Sequence, residues 1–255
     1  MKITFLGTGT SCGVPQMGCH CAVCTSTDPR DKRLRCSALV QDGKTNILLD
    51  CGPDFREQML RIDFCDSLDA VFITHEHYDH VGGIDDLRPY TYIHDLLPIY
   101  ADAYSCKHLR ERLPYCFVEN KYPGVPQLKL HEMAEGDRVM FGNISVTALQ
   151  VIHGKLPILG FRVGDLAYIT DMTDITENSR EMLKGIKILV INGLRHEPHA
   201  THQTVEAAVE FSKSLAPDLP TYIIHMSHHL GLHAIEDALL PNHIHLAYDG
   251  LELEF

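Results

Sequence analysis

The sequence predicts an α/β fold in which two packed sheets are covered by helices on both sides. Three observations carry this reading. Apolar, strand-like runs fall into two groups along the chain. Helical segments are interleaved with them rather than collected at one end. Several runs end on a histidine or an aspartate, the position where open sheets gather their binding residues.

KITFL (2–6) reads as a buried strand. An aperiodic stretch follows, GTGTSCGVPQMGCHCAVCTSTDPRDKR, and a loop of that length is either functional or tied down from outside. Residues 36–50 give two apolar runs around Asp42-Gly43, a hairpin signal. Pro53 starts a helix that places Phe55, Met59 and Ile62 near helical spacing. The strand DAVFIT leads to His75, and the helical stretch after it is interrupted at Pro89. LPIYA (97–101) and 103–113 read as a strand and a helix. From 127 to 171 the pattern is a meander of strands: QLKLH, ISVTALQVIH, ILGFRV and, after the Gly164-Asp165 turn, LAYITD. Helices near 174–185 and 201–216 flank KILVIN, and the chain closes with TYIIH, a helix near 233–240 and two terminal strands. No repeat, linker or charge block marks a boundary, so residues 1–255 are expected to form one domain.

Composition narrows the function classes. With 255 residues, 45% hydrophobic and 22% charged, the chain can bury a full core, which excludes disordered and fibrous readings. No apolar run approaches the roughly 20 residues of a membrane helix. Met1 runs directly into the first strand without a leader, so a cytoplasmic protein is expected. The net charge of −12 argues against long nucleic acid as the main partner. The 17 histidines and 9 cysteines point instead to metal. An odd cysteine count fits a closed disulfide framework poorly, and these thiols read better as ligands or core residues.

The strongest local signal is Thr74-His75-Glu76-His77-Tyr78-Asp79-His80-Val81-Gly82-Gly83. In an extended segment, side chains at i and i+2 point the same way, which sets His75 beside His77. The chain then turns and returns Asp79 and His80 to the same region, while Gly82 and Gly83 let the backbone crowd the turn. Four metal-competent side chains in six residues can serve two ions, and imidazole with carboxylate suits zinc, manganese or iron. Any one of these histidines alone would read as a surface residue. His153, Asp171 and His225 each end an apolar strand, as His75 nearly does. Singly, each is a turn residue; converging, they add one imidazole to each ion and a carboxylate able to bridge them.

THEHYDHVGG resembles the HxHxDH motif of the metallo-β-lactamase superfamily, and VIH153, ITD171 and IIH225 resemble its later ligand motifs in order. The resemblance covers essentially the whole chain. It implies a four-layer αββα sandwich with the site at the sheet edges. It further implies one ion on His75, His77 and His153, a second on Asp79, His80 and His225, and Asp171 bridging both.

Cys19-x-Cys21-x-x-Cys24 lies in the long loop at about 7–35. Thiolates so spaced suit tetrahedral zinc, and a loop lacking its own core gains stability from such a clip. A redox pair would instead precede a helix in a βαβ unit. Spacing leaves the fourth ligand open among His20, Cys12, Cys36 and a distant residue. GTGTSCGVPQMGCHCAVC, together with IIHMSHH, resembles the cyclic phosphodiesterases of the carbon–phosphorus lyase pathway, which open phosphoribosyl 1,2-cyclic phosphate. That resemblance implies a structural zinc on Cys19, Cys21, Cys24 and His228, leaving His229 and His233 as surface residues. A homodimer is implied on the same ground.

PHATHQTVEAAVE (198–210) resembles the segment that carries an active-site histidine in those enzymes and in tRNA 3′-processing endonucleases. Distance to His225 matches His202, rather than His199 or His196, whose roles stay open. His202 is suited to protonate the leaving oxygen or hold the phosphate. The plainer reading makes Thr201 a helix cap with His202 in the first turn. His94, His108, His131, His243 and His245 show no partner pattern, and Cys51, Cys65, Cys106 and Cys116 read as core or partly buried thiols. Arg30-Asp31-Lys32-Arg33 reads as a solvated loop rather than a nucleic-acid site, with the option of steering an anionic substrate.

Two dications, zinc, manganese or nickel, would lower the pKa of a shared water to about 7 and supply hydroxide for attack on a small anionic phosphodiester, cyclic ones foremost. The expected function is therefore a binuclear, metal-dependent phosphodiesterase with Asp79, Asp171 and His202 in the reaction. An RNA 3′-processing nuclease is the alternative within enzymes, opposed by the acidic charge and the lack of a long basic, glycine-rich insertion. A non-catalytic metal-binding protein would lack at least one ligand, and none is missing. Specificity is expected from loop residues such as 84–97 and 154–158.

Overall fold

The computed structural model describes residues 1–62, 65–92, 96–118 and 124–255; His94 and part of the 84–97 loop lie outside the described residues. The first sheet contains β1 (Lys2–Gly7), β2 (Ser37–Asp42), β3 (Thr45–Leu49), β4 (Ala70–Phe72), β5 (Leu97–Ala101), β6 (Leu128–Glu132) and β15 (Glu252–Glu254). Its order is β15-β1-β2-β3-β4-β5-β6. The hairpin β2–β3 turns at Asp42–Thr45 with Gly43 at φ +60°, a left-handed position natural to glycine. From β3 to β6 the strands run parallel.

The second sheet holds β7 (Arg138–Phe141), β8 (Ile144–His153), β9 (Leu156–Val163), β10 (Leu166–Ile169), β11 (Asp174–Ile175), β12 (Ile188–Asn192), β13 (Thr221–Ile224) and β14 (Ile244–Leu246). The order is β11-β8-β9-β10-β12-β13-β14, with β7 paired to β8. Period-two alternation decides which residues face the other sheet. Ile3, Phe5, Val40, Ile47, Leu49 and Phe72 of the first sheet pack on Val146, Phe161, Val163, Tyr168 and Val190 of the second. Phe72 and Phe161 belong to opposite sheets, and their ring centroids are 5.4 Å apart.

The alternate residues face outward and are covered by helices. Beyond the short α1 (Ala22–Thr25) in the long loop come α2 (Phe55–Leu60), α3 (Tyr78–Val81), α4 (Ala103–Arg112) and α5 (Pro114–Phe117). Phe55, Val81, Cys106, Leu109 and Cys116 from these helices pack over Leu39, Leu48, Val71 and Ile99. On the second sheet, α6 (Glu177–Met182) and α7 (Val205–Leu215) cover Leu149, Val151, Ala167, Leu189 and Ile191. The short α8 (His233–Asp237) lies against β14. Side chains of Asp102, Thr176 and Thr204 accept bonds from the backbone N–H of Ser105, Ser179 and Ala207, capping α4, α6 and α7. The four-layer αββα arrangement is thus the one expected. No helix among the described residues is long and apolar enough to cross a membrane.

Several local expectations are corrected. The meander at 127–171 is divided between the sheets: β6 pairs parallel with β5 in the first, and only the later strands join the second. β7 has weak alternation of its own and is held by pairing with β8. The helix expected from Pro53 begins at Phe55, that near 174 begins at Glu177 after the two-residue β11, and that near 201 begins at Val205. The 30–33 run is not solvated. Arg33 is 5% exposed and donates to Thr8 Oγ1 at 2.8 Å and Ala247 O at 2.6 Å, while Asp31 accepts from His233 N at 2.8 Å. His233 is likewise buried, with Nδ1 at 2.9 Å from Arg33 Nη2. These partners are two hundred residues apart, beyond the reach of local pattern.

Candidate metal centre

The two sheets bring five strand ends to one edge. β3 delivers Asp50, β4 delivers His75 and His77, β8 ends on His153, β10 precedes Asp171, and β13 precedes His225. Among the described residues, the only non-glycine residues at positive φ are Asp50 (59°), Asp171 (55°) and His225 (59°). All three adopt the left-handed backbone within two residues of a strand end, which swings the side chain toward the gap between the sheets.

The crowding at the turn rests on two glycines. A Cβ on Gly52 would lie 2.1 Å from Asp79 O, and one on Gly83 would lie 2.2 Å from Gly52 O. This close approach lets Cys51 N donate to His80 O at 2.8 Å and Gly83 N donate to Cys51 O at 2.9 Å, fixing the Asp79-His80 turn against β3.

Ligand-type atoms of His75, His77 and His153 lie within 4.8 Å of one another, and so do those of Asp79, His80 and His225. Asp171 stands between the groups. Its Oδ2 is 2.8 Å from His80 Nε2 and 3.6 Å from His75 Nε2, and its Oδ1 is 2.9 Å from His225 Nε2. The far side of several rings is held by oxygen. His80 Nδ1 is 2.8 Å from Asp50 Oδ2, His75 Nδ1 is 3.0 Å from Thr74 Oγ1, and His153 Nδ1 is 2.7 Å from Thr201 O. These contacts leave Nε2 of His75, His80 and His153 for the centre.

Electrostatics follow from burial and from these neighbours. Burial pushes the imidazoles of His75 and His153 down, so both keep a free lone pair near neutrality. Burial opposes charge at His80 too, but Asp79, Asp50 and Asp171 outweigh it and raise the ring well above its usual range. At His225, burial is overcome by Asp171 and Asp79, which bring it to about 9. Asp79 and Asp171 are held far below the carboxylate range, against burial, by His80 and His225.

The donor set fits divalent ions. His80 Nε2, both carboxylate oxygens of Asp171 and His225 Nε2 are buried and face one another at ion-pair distance without forming a hydrogen bond. Buried polar atoms left so are costly, and nitrogen and carboxylate donors facing one another are what a cation satisfies. His202 joins them: its Nδ1 is 3.1 Å from Asp171 Oδ1, and its ring centroid is 4.8 Å from those of His153 and His225. It lies ahead of α7, whose cap is Thr204, so the plainer reading of His202 as a first-turn residue does not hold. His199 stands outside it, ring centroids 5.1 Å apart. His196 points elsewhere, between Glu206 at 2.5 Å and Glu236 at 2.9 Å.

A second group lies in the long loop. Sγ of Cys19 and of Cys21 are each 3.4 Å from His228 Nδ1, and with Cys24 the four donors lie within 4.8 Å. Of the distant candidates it is therefore His228 that meets the cysteines; Cys12 and His20 are exposed and Cys36 is in the main core. The Cys24 backbone N–H and His228 lower the Cys21 thiol to about 6, whereas burial raises Cys24 to about 11. Three sulfurs and a nitrogen suit tetrahedral zinc. The loop's own core is small, with Val14, Val23 and Cys24 buried. All nine cysteines are free thiols. Sequence pattern missed Asp50, which stands alone in ILLDCGPD; its strand-end position was the available signal.

Comparison with known proteins gives a match to the Beta-lactamase superfamily domain over residues 45–226. A solved structure described as a new diphosphatase from the PhnP family is 40% identical, with TM-score 0.91, over 100% of this chain and 96% of that one. An octanoyltransferase from Porphyromonas gingivalis is 47% identical over 99% of this chain but 51% of its own length. A ribonuclease Z from Thermosynechococcus vestitus is 31% identical over 64% of this chain and 36% of its own. The chain thus spans about half or less of these two relatives.

Proposed function

Because the chain belongs to the metallo-β-lactamase superfamily, as a hydrolase close to the PhnP family, we propose that it hydrolyses small phosphodiesters, cyclic ones foremost, at a two-ion centre. The observation that carries this reading is Asp171. One carboxylate faces imidazoles of both ligand groups, at 3.6 Å from His75 Nε2 and 2.8 Å from His80 Nε2. His75, His77 and His153 would hold one ion, Asp79, His80 and His225 the other, with Asp171 shared. Zinc, manganese and nickel suit these donors. Cys19, Cys21, Cys24 and His228 would hold a structural zinc.

When bound, the ions supply a water acidified toward neutrality and positive charge for the phosphodiester anion. The chain's own residues do the rest. Asp50, Thr74 and Thr201 fix the rings that receive the ions. With Nδ1 turned to Asp171, His202 has Nε2 left to carry a proton to the leaving oxygen. His77 is exposed at the mouth of the centre, where a small anion enters. The net charge of −12 disfavours a long polyanion, which sets small esters ahead of RNA. Octanoyl transfer, named for a protein twice this length, is not supported by a donor set of imidazoles and carboxylates.

The test is a phosphorus NMR assay with added manganese, offering phosphoribosyl 1,2-cyclic phosphate, 2′,3′-cyclic nucleotides, a diphosphate ester and a tRNA precursor in parallel. Fast opening of the small esters with the RNA intact is expected. Cleavage of RNA alone would move the protein to the nuclease branch.

A further inference from the structure

His225 differs from its neighbours in how it is held. His75, His80 and His153 each have Nδ1 against an oxygen, on Thr74, Asp50 and Thr201 respectively. His225 Nδ1 is buried and has no hydrogen-bond partner. Its ring direction is therefore set by its backbone, which sits at φ +59°. The next residue is pinned by the glycine-rich loop: Met226 N donates to Thr8 O at 3.0 Å, and Thr10 N donates to Met226 O at 3.0 Å. Two residues further, His228 reaches Cys19 and Cys21. The same loop thus borders this short segment at both Met226 and His228.

Resting on the reading of both metal groups above, we propose that Cys19, Cys21, Cys24 and His228 are positioning residues for His225. Their zinc sets how tightly the ion on Asp79, His80 and His225 is held, and leaves the ion on His75, His77 and His153 untouched. The loop's base has a separate anchor. Asp249 accepts from Thr8 N at 2.9 Å, Thr8 Oγ1 at 2.8 Å and Leu34 N at 2.7 Å. The clip therefore acts through Thr10 and His228 rather than through Thr8, and its loss weakens one ion without unfolding the chain. Loss of an orienting partner around a ligating imidazole typically costs about 10–100-fold in metal affinity.

The test compares the parent with Cys21→Ser, which breaks the clip, and Thr10→Pro, which keeps the clip but removes one donor to Met226. Ion stoichiometry is read by elemental analysis, and cobalt titrations are followed by paramagnetically shifted imidazole N–H signals. The parent's own count of three ions tests the metal-centre reading before any variant is compared. Cys21→Ser is expected to lose the clip ion and to bind one centre ion about 10–100-fold more weakly, with the other unchanged. Thr10→Pro is expected to keep the clip ion and show the same single weakening. Two centre ions at parent affinity in both variants would overturn the proposal. So would equal loss of both centre ions, which would make the clip a support of the whole fold.

Discussion

The Nδ1 of His80 lies 2.8 Å from Oδ2 of Asp50, and both side chains are fully buried. Asp50 also accepts from Thr74 N at 2.8 Å, so one carboxylate orients the ring and ties β3 to the segment after β4. Asp50→Ala is expected to reduce affinity for a centre ion, and turnover with it, by about 10–100-fold. Metal titration alongside a hydrolysis assay checks this; parent affinity in the variant would remove Asp50 from the centre.

Asp79→Ala and His77→Ala remove donors from opposite ligand groups. Each is expected to reduce phosphodiester hydrolysis by about a thousandfold or more, since charge at the reacting phosphate is lost. Neither contributes to the inter-sheet core, so circular dichroism should show the parent fold. Retained turnover in either would sink the ligand assignment.

His202→Ala separates proton transfer from ion binding. The kcat for an ester with a poor alkoxide leaving group should fall by about 10²–10⁴. For a nitrophenyl ester, which departs without a proton, the loss should be much smaller. Equal losses on both esters would make His202 a phosphate-holding group.

Gly83→Ala tests the crowded turn. Its Cβ would meet Gly52 O at 2.2 Å, a backbone atom that cannot swing away. A lowered melting temperature and loss of ion binding are expected together, because the displaced turn carries Asp79 and His80. Parent stability would mean that the turn relaxes freely.

Asp249 gives a pH dependence away from the metal groups. Burial raises its carboxyl from the usual 3.8 to about 6, despite bonds from Leu34 and Thr8. Between those values the folded chain binds more protons than the unfolded one, so stability falls as pH rises. The contribution is complete below pH 3.8 and lost through about pH 6. It amounts to up to about 2 kcal/mol, allowing for the water that reaches this half-buried group. Denaturant melts of the parent and Asp249→Asn across that range should show the parent alone losing this increment.

Much of the centre was legible because its residues follow strands whose apolar pattern is local. His153, Asp171 and His225 could be placed from the runs before them, and His75 to His80 from their density. Asp50 also follows an apolar run, but its role was hidden, because only the parallel pairing of Leu49 with Phe72 brings it beside Thr74. The Arg33–His233 pair was hidden for a similar reason: a charged run and a late histidine look solvated until the fold buries them together. β6 was assigned to the wrong neighbours because a strand's pattern says that it pairs but not with which sheet. The starts of α6 and α7 were set by the caps Thr176 and Thr204 just ahead of the first helical residue, a signal that periodicity alone overruns.

The left-handed backbones of Asp50, Asp171 and His225 set robustness against activity. Each non-glycine residue in that conformation costs about 1 kcal/mol, and glycine there would relieve it. At Asp50 that relief is outweighed by the buried bonds to Thr74 and His80. At Asp171 and His225, whose side-chain atoms make no hydrogen bond, laboratory evolution selecting only for heat resistance would gain stability and erode the centre. Screening for endurance and for turnover at once is what keeps such a scaffold useful.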